Sequence, residues 1–282
     1  MTTTITDYLA IANNLARYQK NEAAKPAVKN ATAYYQANIG KVTTISQFVG
    51  NYRLLSYALQ AYGLGDQINN KALVTQVLQQ GATSSKALAN TLPNANWKAF
   101  ATAFNFASKG TAAPSSSASV TTTTSDYVEQ QLESDQGSSN TGVGLALYFA
   151  RVAPTITNSL QILADKNLLE VVQTIFNIPE AANASQIDQQ ATEIQKLMPV
   201  ADLQNPAKLK NLVERFTAQY DVLYGTGGTN ASTPLTMSNG NTVTTVNAAS
   251  SVLSGALSSA ASYVGGSAAD FASILSGLAL GG

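Results

Sequence analysis

The side chains available for chemistry in this chain are carboxylates, hydroxyls, lysines and arginines, because its 282 residues include no cysteine and no histidine. That composition excludes disulfides, thiolate nucleophiles, imidazole bases and zinc sites built on Cys or His. Glu129 and Glu133, with Asp135 beyond them, form a paired-carboxylate motif whose i, i+4 spacing puts the first two on one helix face. Such a pair could serve acid–base or metal chemistry. Without histidine or a third ligand, the pattern favours a solvated helix face instead.

Glycine-rich pieces at 142–144 and 225–228 lack the Lys-Ser/Thr that follows in a phosphate-binding loop. They predict a helix start and a loop. A Ser–Lys nucleophile pair stays open in so serine-rich a chain, although no Ser-x-x-Lys motif stands out. We therefore expect a protein that is not an enzyme, with no catalytic, cofactor-binding or metal-binding residue.

Aromatic residues near Lys41 and Arg53 could form a stacking platform for nucleic acid, but their helical spacing favours a packed core. Three of the four arginines lie inside apolar helical stretches, which favours partly buried ion pairs with Glu170, Asp165 or Glu214 as candidate partners. The residues predicted to build the core or to form ion pairs are Tyr35, Tyr52, Arg53, Leu55, Trp97, Phe100, Phe104, Arg151, Leu169, Arg215 and Phe216.

Charged residues make up only 11% of the chain, against about 25% in an ordinary soluble domain. They are also unevenly distributed. Residues 1–110 hold ten basic and three acidic residues, a net charge of +7, and residues 111–282 hold six basic and thirteen acidic residues, a net charge of −7. This dipolar layout allows halves that dock within one chain, subunits that meet head to tail, or merely scattered solvated charges.

With a net charge of zero, nothing predicts binding to nucleic acid. The most apolar stretch, 267–282, is interrupted by Asp270, so no membrane span is expected. The first residues lack the basic start and apolar run of a secretory signal. A cysteine-free chain suits an exported protein, and export without a cleaved signal implies a dedicated machine.

Hydrophobic periodicity predicts an all-α fold with two similar multi-helix halves in one helical body. The predicted units are a basic helical half at 1–110, a Ser/Thr-rich linker at 111–125, an acidic helical half at 126–224 and an uncharged Gly/Ser/Ala-rich tail at 225–282. The tail is low in complexity. Its pattern is compatible with a small hairpin about Asn239-Gly240 and one or two amphipathic helices.

An internal repeat supports the two halves. Shifting the chain by 114 residues lays 48–64 onto 162–178 with apolar on apolar, and a shift of 116 lays Phe100 and Phe104 onto Phe216 and Tyr220. The match indicates a duplicated helical plan. Its alternative is chance agreement between two amphipathic helical regions.

Several stretches together resemble the proteobacterial family catalogued as domain of unknown function 1217. In the first half they are Tyr34-Tyr35-Gln-Ala-Asn38-Ile39-Gly40-Lys41-Val42, Tyr52-Arg53-Leu54-Leu55-Ser56-Tyr57-Ala58, Ala61-Tyr62-Gly63-Leu64 and Phe100-Ala-Thr-Ala-Phe104-Asn105-Phe106. In the second half they are Gly144-Leu-Ala-Leu147-Tyr148-Phe149-Ala-Arg151, Ala153-Pro154, Gln161-Ile-Leu-Ala164-Asp165-Lys166, Ile187-Asp188 and Arg215-Phe216-Thr217-Ala218. The resemblance covers about residues 5–224, while the linker and the tail depart from it. It assigns no catalytic residue.

Members of this family tend to be encoded among flagellar genes, so the resemblance implies an accessory or structural flagellar protein. A composition free of cysteine and rich in Ala, Asn, Gln, Ser and Thr agrees with that expectation. We expect a non-enzymatic flagellar protein that is located in the flagellum or outside the cell and assembles through amphipathic helices, with flagellar components or copies of itself as partners. The alternative is a cytoplasmic helical binding module or export chaperone for a flagellar subunit.

Overall fold

The structure is a computed structural model that describes residues 3–178 and 184–225. Across these ranges the chain is all-α, as predicted, and no strand occurs in them. The hairpin and amphipathic helices predicted for the tail lie outside the described residues.

The helices up to the end of the predicted linker are short and closely spaced. They are α1 (Thr4–Ala12), α2 (Leu15–Ala24), α3 (Pro26–Ile39), α4 (Ile45–Gly50), α5 (Tyr52–Ala61), α6 (Lys71–Gln80), α7 (Leu88–Thr91), α8 (Asn96–Ala103) and α9 (Phe106–Lys109). The helices that follow are α10 (Thr123–Ser139), α11 (Thr141–Val152), α12 (Ser159–Leu163), α13 (Lys166–Phe176), α14 (Ala184–Leu197), α15 (Val200–Leu203) and α16 (Pro206–Tyr224).

The helix boundaries follow the offset of 114 residues found in the sequence. Shifted by that number, α4 and α5 fall on α12 and α13, and α3 falls on α11 to within about two residues. The turns repeat as well, because Gly63 (φ 65°) and Asn177 (φ 51°) both adopt a left-handed conformation just after the paired helices. Agreement of ends and turns, in addition to apolar periodicity, supports a duplicated helical plan over chance matching.

The same local hydrogen bonds start the equivalent helices in both halves. The backbone N–H and hydroxyl of Thr43 donate to the side-chain oxygen of Gln47, and those of Thr157 donate to Gln161 in the same way. These are variants of the capping box, in which a side chain three or four residues into the helix reaches back to satisfy an unpaired N–H. Asn51 and Asp165 then cap α5 and α13.

Buried side chains form two clusters, one for each half. The first runs from Val28 to Val128 and includes the buried aromatic residues of α3, α4, α5 and α8. The second is built mainly from α11, α13 and α16. Helix α10 contributes Tyr127 and Val128 to the first cluster and Leu132 to the second, so it joins the two cores.

Helix α1 packs with the second half although it lies in the first half of the sequence. Its Tyr8 and Ile11 belong to the second cluster, and the Asp221 carboxylate on α16 accepts hydrogen bonds from the Thr4 N–H at 2.9 and 3.1 Å. A division of the packing at residue 110 is therefore wrong for the first helix, because its apolar face is buried against α11 and α16.

The segment predicted as a Ser/Thr-rich linker, residues 111–125, is folded into helical turns. Residues 110–115 form a 3₁₀ helix, residues 118–122 form a π-helical turn, and α10 begins at Thr123. Ala113, Pro114 and Ser119 are buried there. The segment is ordered because its hydroxyls bond to nearby carbonyls and because the buried Tyr35 hydroxyl donates to the Ser119 carbonyl at 2.6 Å.

Candidate functional site

The densest group of charges lies where α10 crosses α11. Arg151 on α11 donates twice to Glu133 on α10, from Nε to Oε1 at 2.6 Å and from Nη2 to Oε2 at 2.9 Å. Glu129, one turn earlier on α10, lies 3.9 Å from the same guanidinium and accepts a hydrogen bond from Gln19 at 2.7 Å. This bidentate geometry is the strong form of the arginine–carboxylate pair.

The structure corrects two predictions about these residues. Glu133 is only 9% exposed, so the solvated-face interpretation is wrong for it. The partner of Arg151 is Glu133, and not Glu170, Asp165 or Glu214. The physical reason is the close approach of α10 and α11: a Cβ on Gly144 would stand 2.6 Å from the Gly137 Cα, so glycine is needed there and the acidic face is turned inward.

Asp126 lies one turn before Glu129 and faces a cleft of about 440 Å³ between the two halves. Residues from α5, α8, α10 and α11 line this cleft, including Tyr62, Lys98, Glu129 and Arg151. Burial raises the pKa of the Asp126 carboxyl to about 6, which Arg151 opposes and the neighbouring glutamates reinforce. A half-buried acid in a cleft is a typical feature of functional sites, although structural ion-pair networks shift pKa values too.

Tyr148 and Asp165 extend the polar group across α11 to the start of α13, since the Tyr148 hydroxyl donates to the Asp165 carboxylate. Burial and the Asp165 charge raise the pKa of Tyr148. Asp165 at the same time accepts from the Asn167 and Leu168 N–H groups as the cap of α13. Both side chains therefore fix the position of α13 against α11.

Most of the residues predicted as core are buried. Phe100, Phe104 and Phe48 form one aromatic group, with ring centroids 4.8 Å apart for Phe48 and Phe104 and 5.0 Å apart for Phe100 and Phe104. Tyr35 stacks on Tyr57 at 4.3 Å. The predicted residues that are at most 4% exposed are Tyr35, Leu55, Trp97, Phe100, Phe104 and Phe216. Leu169 is half-buried and packs against the second cluster, beside the buried Leu168.

Tyr52 and Arg53 depart from the predicted core. Tyr52 is 61% exposed, and Arg53 is exposed with its guanidinium 3.5 Å from the centre of the Tyr34 ring. Both are the first residues of α5, whose buried face begins at Leu54, so helical periodicity turns them outward. Tyr34, Tyr52, Arg53, Tyr57 and Tyr127 line a hollow of about 170 Å³. We call this the tyrosine–arginine face.

Arg215, the last of the three arginines predicted to form ion pairs, also contacts an aromatic ring. The Arg215 guanidinium lies 5.1 Å from the centre of the Phe176 ring, between α16 and α13. Cation–π contact of this kind combines stacking with charge. Arginine in this protein is thus used against aromatic rings in three places, since Arg151 also lies 5.4 Å from the Tyr148 ring.

The described residues contain no group of three or more acidic side chains arranged to hold a metal ion. Among their helices, none is both long and apolar enough to cross a membrane.

Two features of the described residues could serve a function. The group formed by Arg151, Glu133 and Glu129, which we call the Arg151 centre, holds α10 and α11 together. The tyrosine–arginine face offers aromatic surface with a fixed positive charge. The sequence signal for close packing of α10 and α11 is the pair of small residues Gly137 and Gly144, although they do not indicate which acid pairs with Arg151.

Comparison with known proteins agrees with the helical architecture. A crystal structure of a protein from Agrobacterium tumefaciens is 37% identical to this chain, covering 77% of it and 93% of the other chain, with a TM-score of 0.72. Among curated proteins, none matches. The sequence profile of the family described as protein of unknown function (DUF1217) matches residues 61–209. The chain therefore belongs to the DUF1217 family.

Proposed function

We propose that this protein is a non-enzymatic structural or accessory component of the bacterial flagellum that works by binding other protein surfaces. The observation that carries the proposal is the tyrosine–arginine face, with Tyr52 61% exposed and Arg53 held on the Tyr34 ring. Tyrosine and arginine are the residue types most enriched at the energetic centres of protein interfaces. Their fixed stacking lowers the entropy lost on binding.

The charged centre supports a structural role. Both carboxylate oxygens of Glu133 accept hydrogen bonds from Arg151, from Nε and from Nη2, so this carboxylate is committed to joining α10 and α11. Asp165 is likewise committed to capping α13 and to accepting from Tyr148. A catalytic acid or base needs a carboxylate oxygen within reach of the substrate, whereas the oxygens of Glu133 and Asp165 accept hydrogen bonds from groups of the protein itself.

The flagellar part of the proposal rests on two supports. The family resemblance implies it, because members tend to be encoded among flagellar genes, and the composition agrees, with no cysteine and only 11% charged residues. We propose that the chain leaves the cell through the flagellar export apparatus.

Deletion of the gene, with measurement of swimming and of the secreted fraction, tests this function. We expect impaired motility, restoration by the intact gene, and the protein outside the cell only when flagellar export is active. Normal motility with the protein confined to the cytoplasm would refute the proposal.

A second candidate function is a cytoplasmic binding module or export chaperone, and the cleft between the two halves favours it. Its volume of about 440 Å³ and its mixed lining suit the insertion of side chains from a helical client. Co-purification with one flagellar subunit at equal stoichiometry, lost when Ala99 in the cleft wall is replaced by a bulky residue, would favour this candidate over the first.

A further inference from the structure

Two surfaces on opposite halves of the chain each combine exposed apolar side chains with a charge, and the two charges are opposite in sign. The first is the tyrosine–arginine face at the start of α5. The second lies on α12 and α14, which pack against each other, and presents Leu160 (59% exposed), Leu197 (39% exposed) and the exposed Glu193. We call this second surface the leucine–glutamate face.

On α14, Glu193 and Leu197 are four residues apart and therefore point the same way. Around the helix axis Lys196 is rotated by about 100° from Leu197 and Glu193 by only about 40°, so the charge nearer to the leucine is negative. On the other half, Arg53 stands beside Tyr52. Among the described residues, neither Arg53 nor Glu193 has an ion-pair partner within the chain.

The duplication shows that these apolar side chains are specific to one half each. At the offset of 114 residues, Tyr52 corresponds to Lys166 and Leu160 corresponds to Ser46, both of them exposed and polar. Buried positions behave differently, since Phe48 and Leu54 correspond to the equally buried Ile162 and Leu168. Equivalent core positions are thus apolar in both halves. At the exposed positions of Tyr52 and Leu160, in contrast, only one half has an apolar side chain.

We propose that the tyrosine–arginine face of one copy of this chain binds the leucine–glutamate face of a second copy. The partner follows from charge: residues 1–110 carry a net charge of +7 and residues 111–282 a net charge of −7, so the two faces attract over the distance of encounter. Tyr52 is buried against Leu160 and Leu197, and Arg53 pairs with Glu193. Because the two faces differ, each contact is head to tail, and the product is a ring where the rotation between copies closes and an open chain of copies where it does not.

This inference rests on the binding of protein surfaces in the proposed function, and it names a second copy of the chain as the partner. Its test is sedimentation velocity of the full chain over a range of concentrations. We expect reversible association that weakens when NaCl rises from about 50 mM to about 500 mM, because salt screens the charge pairing. Arg53→Glu and Glu193→Arg should each lower the association constant by about tenfold.

The decisive arm is the double variant Arg53→Glu with Glu193→Arg, which restores the pair with reversed polarity and should recover most of the wild-type association. Lys71→Glu makes the same change in charge at an exposed lysine of the same half and should leave more association than Arg53→Glu does. Circular dichroism checks that each variant is folded.

A wild-type chain that stays monomeric at low salt, or a double variant no better than the single variants, would overturn the inference. Neither result bears on the proposed function, which is judged by secretion and swimming. Conversely, normal motility with a cytoplasmic protein would refute the proposed function and leave the measured association standing.

Discussion

Replacing Asp126 by asparagine should stabilise the protein at neutral pH. Burial raises the pKa of this carboxyl from 3.8 to about 6, which means that the folded state disfavours the ionised form by about 2 pKa units, or about 3 kcal/mol at about 1.4 kcal/mol per unit. The side chain is only partly buried, so solvent screening reduces the usable figure to about 1–2 kcal/mol. Asparagine keeps the shape and removes the charge.

The stability gained by Asp126→Asn should depend on pH, because the raised pKa of Asp126 destabilises the folded state only where the carboxyl ionises. A carboxyl with a raised folded pKa holds its proton more tightly in the folded state, so its penalty is absent below about pH 3.8 and grows until the pH passes about 6. Urea unfolding at pH 7.5 should therefore show Asp126→Asn more stable than wild type by about 1–2 kcal/mol. The difference should shrink steadily as the pH is lowered from 6 toward 4.

Asp135→Asn is the matched control, since it makes the same change on the same helix at an exposed carboxylate that pairs with Lys25. It should cost no more than about 1 kcal/mol. If Asp126→Asn is no more stable than wild type at pH 7.5, or if its advantage does not depend on pH, then burial is not what sets this pKa and the reasoning fails.

Three further substitutions test the packing, each by urea unfolding. Arg151→Met should cost about 3 kcal/mol because it leaves Glu133 buried without its partner, and the double variant with Glu133→Leu should recover part of that loss; a loss under about 0.5 kcal/mol would contradict the bidentate pair. Gly144→Ala should cost about 1–3 kcal/mol because α10 and α11 must separate, and unchanged stability would mean that the helices are not in contact there. Asp221→Ala should cost about 1–2 kcal/mol and speed hydrogen exchange at residues 4–12, since the Thr4 N–H and hydroxyl lose their acceptor; exchange rates equal to those of the wild type would show that α1 is held by its apolar face alone.

The sequence was sufficient to predict helices and their duplication, because burial repeats along a helix with a period that any amphipathic stretch displays. Residues such as Phe100 and Phe216 could be identified as core and as equivalent because each lies within an apolar pattern that both halves share. The same rule places Tyr52 and Arg53 outward once α5 is known to begin at Tyr52. Their burial was mispredicted because the helical conformation breaks at Asn51, between α4 and α5, and this break changes which side of α5 faces the core.

The Arg151 centre could not be predicted from spacing, since its partner lies 18 residues away on another helix. Opposite charges on neighbouring helices meet only if the helix axes come close, and that depends on Gly137 and Gly144 rather than on the charges themselves. An i, i+4 acidic pair looks the same in sequence whether it faces water or an arginine. Contacts of this kind belong to tertiary packing, which local periodicity does not encode.

The Ser/Thr-rich segment shows why low charge and few large apolar residues are insufficient to predict a flexible linker. Ser119 is fully buried, and its hydroxyl lies 2.9 Å from the carbonyls of both Ala113 and Ser116, either of which can accept its one hydrogen, while the Thr123 hydroxyl donates to the Ala118 carbonyl. Each hydroxyl satisfies a nearby backbone acceptor, so small polar residues are buried here without the cost of an unpaired group. Since the adjoining α10 supplies residues to both cores, this segment sets the start of the helix that joins them, and a rigid joint is what a chain of copies would need to keep both binding faces in a fixed relation.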